Sequence, residues 1–116
     1  MTTQDPHAFA AEWIEAWNTH DLERILAHYD ADIVFLSPLA KQRIGHGRVE
    51  GLDALRAYWA AGLAAQPNLT FEHRETLVGF DSLTILYTNH RGQKCAESFE
   101  FGGNGKVIRA SACYGL

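Results

Sequence analysis

The spacing of apolar residues changes along the chain, from a helical period in the first half to alternation in the second. The Asp-Pro pair at residues 5–6 predicts the start of a helix, because Asp caps free N–H groups and Pro is tolerated in the first turn. Phe9, Trp13 and Trp17 follow at intervals of four residues, which places them on one helical face. Residues 18–20 should end this helix.

Asp21 predicts the start of a second, short helix. Residues 31–38 are apolar on both faces of a predicted strand, which is typical of a buried strand. Residues 39–50, rich in glycine and basic side chains, predict a polar loop. Residues 52–66 predict a third helix that ends before a proline.

The second half predicts four strands joined by short turns, at residues 69–80, 83–90, 93–101 and 106–114. Connections this short require antiparallel neighbours. We therefore expect one α+β domain over residues 1–116, in which a curved antiparallel sheet forms a cone and three N-terminal helices pack in its concavity. A cone closed by helices is a natural small-molecule pocket.

Glu97 stands out in the strand predicted at 93–101, because alternation places its carboxyl on the same face as Cys95, Phe99 and Phe101. A carboxylate on an apolar face must be paired, be neutralised by a raised pKa, or line a polar pocket. Two interpretations stay open. Glu97 belongs to a binding or catalytic site, or it is part of a structural ion pair or a water-filled pore.

The last hairpin also bears on the two cysteines. Cys113 should project to the face opposite Cys95, which excludes a disulfide between them. The expected cross-strand pairs are Phe101 with Lys106, Glu97 with Ala110, and Cys95 with Ala112.

Composition narrows the function. Hydrophobic residues make up 47% and charged residues 21% of the 116 residues, as in ordinary globular proteins. A net charge of −4 argues against nucleic acid or an anionic membrane as a partner. The polar residues 1–6 do not resemble a signal peptide, and no stretch is long enough to span a membrane, so we expect a cytoplasmic protein.

Motifs for cofactors and metals are missing from the sequence. The six histidines and two cysteines form neither HExxH nor CxxC spacing, and no GxGxxG, P-loop or GxSxG motif occurs. We expect neither a metal nor a cofactor.

Four segments carry a resemblance to a known family. They read AWNTHDL at 16–22, YDADI at 29–33, GRVEGLDAL at 47–55 and FGGNGKV at 101–107. In this order and spacing they resemble the nuclear transport factor 2-like superfamily, in its SnoaL-like and ketosteroid-isomerase-like branch. The resemblance implies a cystatin-like α+β barrel without cofactor or metal, and a homodimer formed through the outer face of the sheet.

The resemblance also assigns positions. In ketosteroid isomerases a general base, a tyrosine and a protonated acid share the pocket. These positions correspond here to Ser37, Trp13 and Glu97, and only Glu97 keeps its chemistry. A serine cannot remove a carbon-bound proton unaided, and an indole N–H is a weaker donor than a phenol. The resemblance therefore implies a SnoaL-like protein that does not use the steroid isomerase mechanism.

The resulting hypothesis is an isomerase, cyclase or dehydratase for a hydrophobic carbonyl compound. Glu97 would transfer the proton, with Ser37 and Trp13 orienting the substrate oxygen. The further pocket residues we expect are Tyr29, Phe35, Trp59, His73, Phe99 and Ala110. Arg43 and Lys41 are expected near the mouth, where they attract an acidic substrate or belong to a solvated loop. His46 reaches over the mouth as a mobile base or substrate clamp, or is simply solvated. His28 and His90 are expected at the surface. The alternatives are a non-catalytic ligand-binding module and a dimerisation module of the same fold.

Overall fold

Residues 5–115, the part of the chain that this computed structural model describes, form four helices and six strands. Residues 1–4, which begin the polar N-terminal segment, and residue 116 lie outside the described part. The helices are α1 (Pro6–Asn18), α2 (Leu22–Leu26), α3 (Pro38–Ile44) and α4 (Leu52–Ala65). The strands are β1 (Tyr29–Leu36), β2 (Arg48–Glu50), β3 (Phe71–Gly79), β4 (Ser82–Asn89), β5 (Lys94–Phe101) and β6 (Val107–Tyr114).

Side-chain caps begin α1 and α2 where the sequence predicted. The Asp5 carboxylate accepts hydrogen bonds from two backbone N–H groups of the first turn of α1, and Asp21 accepts one at the start of α2. The predicted stripe of Phe9, Trp13 and Trp17 is buried. None of the helices within residues 5–115 combines the length and apolar character needed to cross a membrane.

The strands form one sheet in the order β2-β1-β6-β5-β4-β3. Neighbouring strands are antiparallel except β1 and β6, which pair in parallel. The sheet is curved and unclosed, α1 packs against β3, and α4 packs against β1. The α+β fold with helices in the concavity is therefore confirmed, although four helices precede the β3–β6 meander, where the sequence predicted three.

The prediction of a polar loop at residues 39–50 is wrong, because this stretch contains most of α3 and all of β2. Ser37 caps α3, its Oγ accepting from the Leu39 N–H at 3.1 Å, and Pro38 occupies the first turn. Gly45 ends the helix with φ of +88°, a conformation that suits glycine. The capping signals were present, but the basic composition of the segment concealed them.

The predicted register of the last hairpin is also wrong, by two residues. Glu97 pairs with Ala112 rather than Ala110, and Cys95 pairs with Tyr114 rather than Ala112. One residue of the shift comes from a longer turn, since Phe101 pairs with Val107 rather than Lys106, and the other from a bulge beside that pair. An even shift preserves the faces. Accordingly, Cys95 is buried, Cys113 is exposed, and both thiols are free.

Candidate functional site

Strand β5 points the Glu97 carboxyl into the concave side of the sheet. Burial alternates along the strand, and Glu97 is only 3% exposed. Its sheet neighbours are Ile85 on β4 and Ala112 on β6, both apolar. Alternation alone thus explains how a carboxyl reaches the interior.

All four tyrosines of the chain lie within range of the charge of this carboxyl. The Tyr87 hydroxyl donates to Glu97 Oε1 at 3.5 Å, a long hydrogen bond. Burial raises the pKa of Tyr29, Tyr58, Tyr87 and Tyr114, and the nearby charge of Glu97 raises each of them further. The carboxyl therefore lies among hydroxyl groups that stay protonated at neutral pH.

Burial also changes the acidity of Glu97 itself. Desolvation raises its pKa to about 8, and the hydrogen bond from Tyr87 offsets only part of that effect. Within residues 5–115, Glu97 takes part in no ion pair. The carboxyl is therefore mostly neutral at pH 7, and it gains or loses a proton close to physiological pH.

A cavity of about 80 Å³ lies beside this group. The three tryptophans of the chain, Trp13, Trp17 and Trp59, all contribute to its wall. The volume holds a few water molecules or a small fragment, well below the roughly 300–1,000 Å³ of typical ligand sites. The rest of the wall consists of Phe35, Leu39, Arg43, Tyr58, Gly62, Gln66, Leu69, Phe71, Tyr87, Asn89, His90, Cys95, Glu97 and Tyr114.

Two polar atoms of the wall have no partner. Trp17 Nε1 and His90 Nδ1 are buried, and neither atom has a hydrogen-bond partner among the described residues. An unpaired buried donor costs about 1–3 kcal/mol. Both atoms are closed off from a water-sized probe, so in this conformation neither faces the open space of the cavity.

Four predicted site residues line the cavity: Glu97, Trp13, Phe35 and Trp59. Tyr29 lies one layer behind, where its hydroxyl accepts a hydrogen bond from Trp13 Nε1 at 3.0 Å. Since that indole N–H is already used, Trp13 contributes an aromatic wall rather than a donor to a bound oxygen.

Three other predicted residues are buried but do not line the cavity. Phe99 and Ala110 pair with each other across β5 and β6, and the two-residue register shift is the reason Ala110 does not face Glu97. Ser37 Oγ caps α3. The Ser37 hydroxyl also approaches Tyr58 and Tyr114, and its hydrogen bonds lower the pKa of both, against the larger effect of burial.

His73 lies outside the cavity, contrary to the sequence prediction. It shares its sheet face with Tyr87, but α1 separates it from the interior, and it lines an exterior groove between α1 and β3. Its Nε2 contacts Thr76 Oγ1 at 2.8 Å. The surface prediction also fails for His90, which lines the cavity, and for His28, whose side chain is 18% exposed and packs against Phe9.

Sequence reasoning missed Trp17, Tyr58, Tyr87 and Tyr114 as parts of the site. Tyr87 carried a usable signal, because it alternates in phase with Leu83 and Ile85 on the strand next to Glu97. The other two tyrosines lie on α4 and β6, far apart in sequence, and only the tertiary fold brings them together. Within residues 5–115, no group of three or more side chains is arranged to hold a metal ion.

A family model described as a SnoaL-like domain matches residues 10–115. A SnoaL-like protein of unknown function from Burkholderia thailandensis is 39% identical, with a TM-score of 0.93 over 100% of this chain and 99% of that one. TerC, crystallised with polyporic acid, is 18% identical with a TM-score of 0.78 over 96% and 92% of the two chains. A SnoaL-like protein proposed as an isomerase, from Agrobacterium tumefaciens, is 14% identical with a TM-score of 0.76 over 96% and 97%.

No protein of curated function matches the chain significantly. The two more distant structures share the fold, and their activities and ligands are those of other proteins. The family match covers nearly the whole chain, and the 39% identical relative covers all of it. The chain therefore belongs to the SnoaL-like family.

Proposed function

We propose that the protein binds a hydrophobic carbonyl compound in the cavity and that Glu97 moves a proton on it, giving isomerisation, cyclisation or dehydration through an enol-like intermediate. The observation that carries this proposal is the buried carboxyl, unpaired with any cation among residues 5–115, beside an aromatic cavity. A raised pKa near the working pH is what a general acid–base group requires.

The proton transfer follows from the groups around Glu97. In its ionised form Glu97 takes a proton from the carbon next to the carbonyl. The electron pair of that C–H bond forms a C=C bond, and the π pair of the carbonyl moves onto its oxygen. The resulting carboxylic acid then returns the proton to carbon.

Exchange of the α-proton tests this step without knowledge of the natural substrate. Aryl ketones are incubated with the protein in D₂O, and deuterium incorporation next to the carbonyl is followed by proton NMR. We expect the rate to rise as pH approaches 8, because the ionised carboxyl is the base. Glu97→Gln should slow exchange by about 10²-fold to 10⁴-fold, the usual contribution of a general base.

A matched control is available on the same strand. Glu100 is exposed, so Glu100→Gln changes the same functional group away from the cavity and should leave exchange unchanged. The melting temperature of Glu97→Gln should match that of the wild type near pH 4.5, where glutamine has the shape of the neutral acid, and lie above it towards pH 8, so lost exchange would not reflect unfolding. Equal exchange rates for the wild type and Glu97→Gln would exclude the catalytic role.

A second candidate is a ligand-binding module without turnover, because the aromatic wall of the cavity can bind a ligand whether or not Glu97 reacts with it. A volume of about 80 Å³ holds only a fragment unless the wall rearranges. Under this alternative, the same ketones would bind without α-proton exchange, and Glu97→Gln would change only the affinity.

The proposal also includes a homodimer formed through the outer face of the sheet. It further includes a cytoplasmic location. Small outward-facing side chains at the centre of the sheet support the homodimer. Thr84 and Ser98 lie side by side there, with their hydroxyl oxygens 2.9 Å apart. A mass of twice 12.9 kDa in solution would agree with the homodimer, and the mass of one chain would exclude it.

A further inference from the structure

The mouth of the cavity carries an arginine without a carboxylate partner. Arg24, Arg48, Arg56 and Arg74 each form an ion pair. Arg43 on α3 forms neither an ion pair nor a side-chain hydrogen bond within residues 5–115, although it lines the cavity. A guanidinium left unpaired at the entrance of an apolar site is available to a bound anion.

The position of Arg43 is built by both neighbouring helices. A Cβ at Gly62 on α4 would lie 3.1 Å from Arg43 Nη1, so the missing side chain makes room for the guanidinium. Tyr58, one turn earlier on α4, feels the same charge, because Arg43 lowers the pKa that burial raises. The guanidinium therefore lies against α4 at the mouth, close to the Tyr58 hydroxyl.

The cavity continues outward past Arg43. A second, open groove of about 940 Å³ shares Arg43, Tyr58, Gly62 and Gln66 with the interior cavity. Arg91 also lines this groove, where its Nη2 donates to Gln66 Oε1 at 3.5 Å. Arg48 and Glu50 also line the groove, and they form an ion pair with each other, with Nε and Oε2 2.9 Å apart. Two arginines without carboxylate partners thus meet at one opening of a chain whose net charge is −4.

The interior supplies the complementary half. Glu97 and the three tryptophans line the cavity but not the outer groove, whereas Arg43 lines both. The cavity therefore offers a carboxyl and aromatic walls inside and a positive charge at its mouth.

From this arrangement, and resting on the proposed function, we infer that the ligand is a keto acid: a hydrophobic carbonyl compound that carries a carboxylate. The apolar part and the carbonyl occupy the cavity beside Glu97, and the carboxylate binds Arg43 at the mouth. Arg43 is then a specificity-determining residue that selects acids over neutral ketones.

Matched acids and esters test the inference. The probes are benzoylformate, 4-oxo-4-phenylbutanoate and 5-oxo-5-phenylpentanoate, each beside its methyl ester, which removes the charge and keeps the ketone. Because the three tryptophans line the cavity, quenching of their fluorescence reports binding directly. For at least one chain length, the acid should bind the wild type about 10-fold to 100-fold tighter than its ester, the range of a charge-assisted hydrogen bond.

Arg43→Gln should remove this preference, so that the acid and its ester bind the variant with similar affinity. Lys41→Gln is the control, since it removes one positive charge from the same helix at an exposed position outside the cavity and the groove. It should keep the preference, which separates local binding from the overall charge. The preference of the wild type is informative by itself if a variant does not fold.

Three results would overturn the inference. Acids and esters that bind the wild type equally, or an acid preference that survives Arg43→Gln, would refute the keto acid while leaving carbonyl binding intact. If no member of either series binds, the proposed function fails, and the inference fails with it.

Discussion

The two ends of the concave face, built by the same strands, differ in how they are filled. At one end, Phe9 of α1 packs edge-to-face on Phe99 and Phe101 of β5, with ring centroids 5.1 Å apart in each case. At the other end, β5 presents Cys95 and Glu97 to an open cavity. One strand thus contributes a packed core with its last two inward residues and a candidate site with its first two.

This difference shows how little sequence separates a core from a site. Every second side chain of β5 points inward, so the core residue Phe99 is the next inward residue after Glu97. Phenylalanine completes its packing with dispersion contacts. A carboxyl requires polar partners, and those near Glu97 are tyrosine hydroxyls, with a long hydrogen bond from Tyr87.

The largest expected effect comes from equivalent truncations at the two ends. Phe99→Ala, at a fully buried position, should lower the free energy of unfolding by about 3–5 kcal/mol. Phe35→Ala, in the wall of the cavity, should cost roughly 1–2 kcal/mol less, because part of its surface has no packing partner to lose. Urea unfolding followed by tryptophan fluorescence measures both.

The same two variants should also differ in their effect on ligand affinity. Phe35→Ala enlarges the cavity and should change the affinity for aryl ketones, whereas Phe99→Ala should leave it unchanged. If the two truncations had equal costs and equal effects on binding, the two ends would not differ as described.

A more gradual effect concerns the dependence of stability on pH. The pKa of Glu97 is about 8 in the folded protein, and its ordinary value is 4.5. Between these values, the unfolded chain has lost the proton that the folded chain keeps, so stability falls as pH rises, by up to about 1.4 kcal/mol per pH unit.

Glu97→Gln isolates this contribution, because glutamine does not titrate and the other groups cancel in the comparison. The variant should match the wild type near pH 4.5 and become progressively more stable relative to it towards pH 8. Unfolding free energies at intervals of half a pH unit provide the measurement. A constant difference across this range would mean that Glu97 titrates normally in the folded protein.

Local patterns predicted much of the fold. Caps such as Asp5 and Asp21, the helical stripe of α1 and the alternation of β5 each depend on neighbours in sequence, and the structure confirms them. Alternation also predicted that Glu97 faces inward. These features require no knowledge of distant residues.

Features set by tertiary contacts were not predictable in the same way. Strand β2 has three residues and exists through its pairing with β1, and the bulge beside Phe101 moved Ala110 away from Glu97. The tyrosine cluster joins residues from β1, α4, β4 and β6. No periodic pattern connects such positions, so the candidate site was recognised by its carboxyl but not by its surroundings.

The central claim is that the Glu97 carboxyl is held neutral at pH 7 in an interior bordered by tyrosines. Carbon-13 NMR of the side-chain carboxyl carbons follows this titration directly, with the Glu97 resonance assigned by its loss in Glu97→Gln. We predict a midpoint of about 8. A midpoint near the ordinary 4.5 would contradict the account, because a carboxyl that ionises so easily is solvated or paired with a cation.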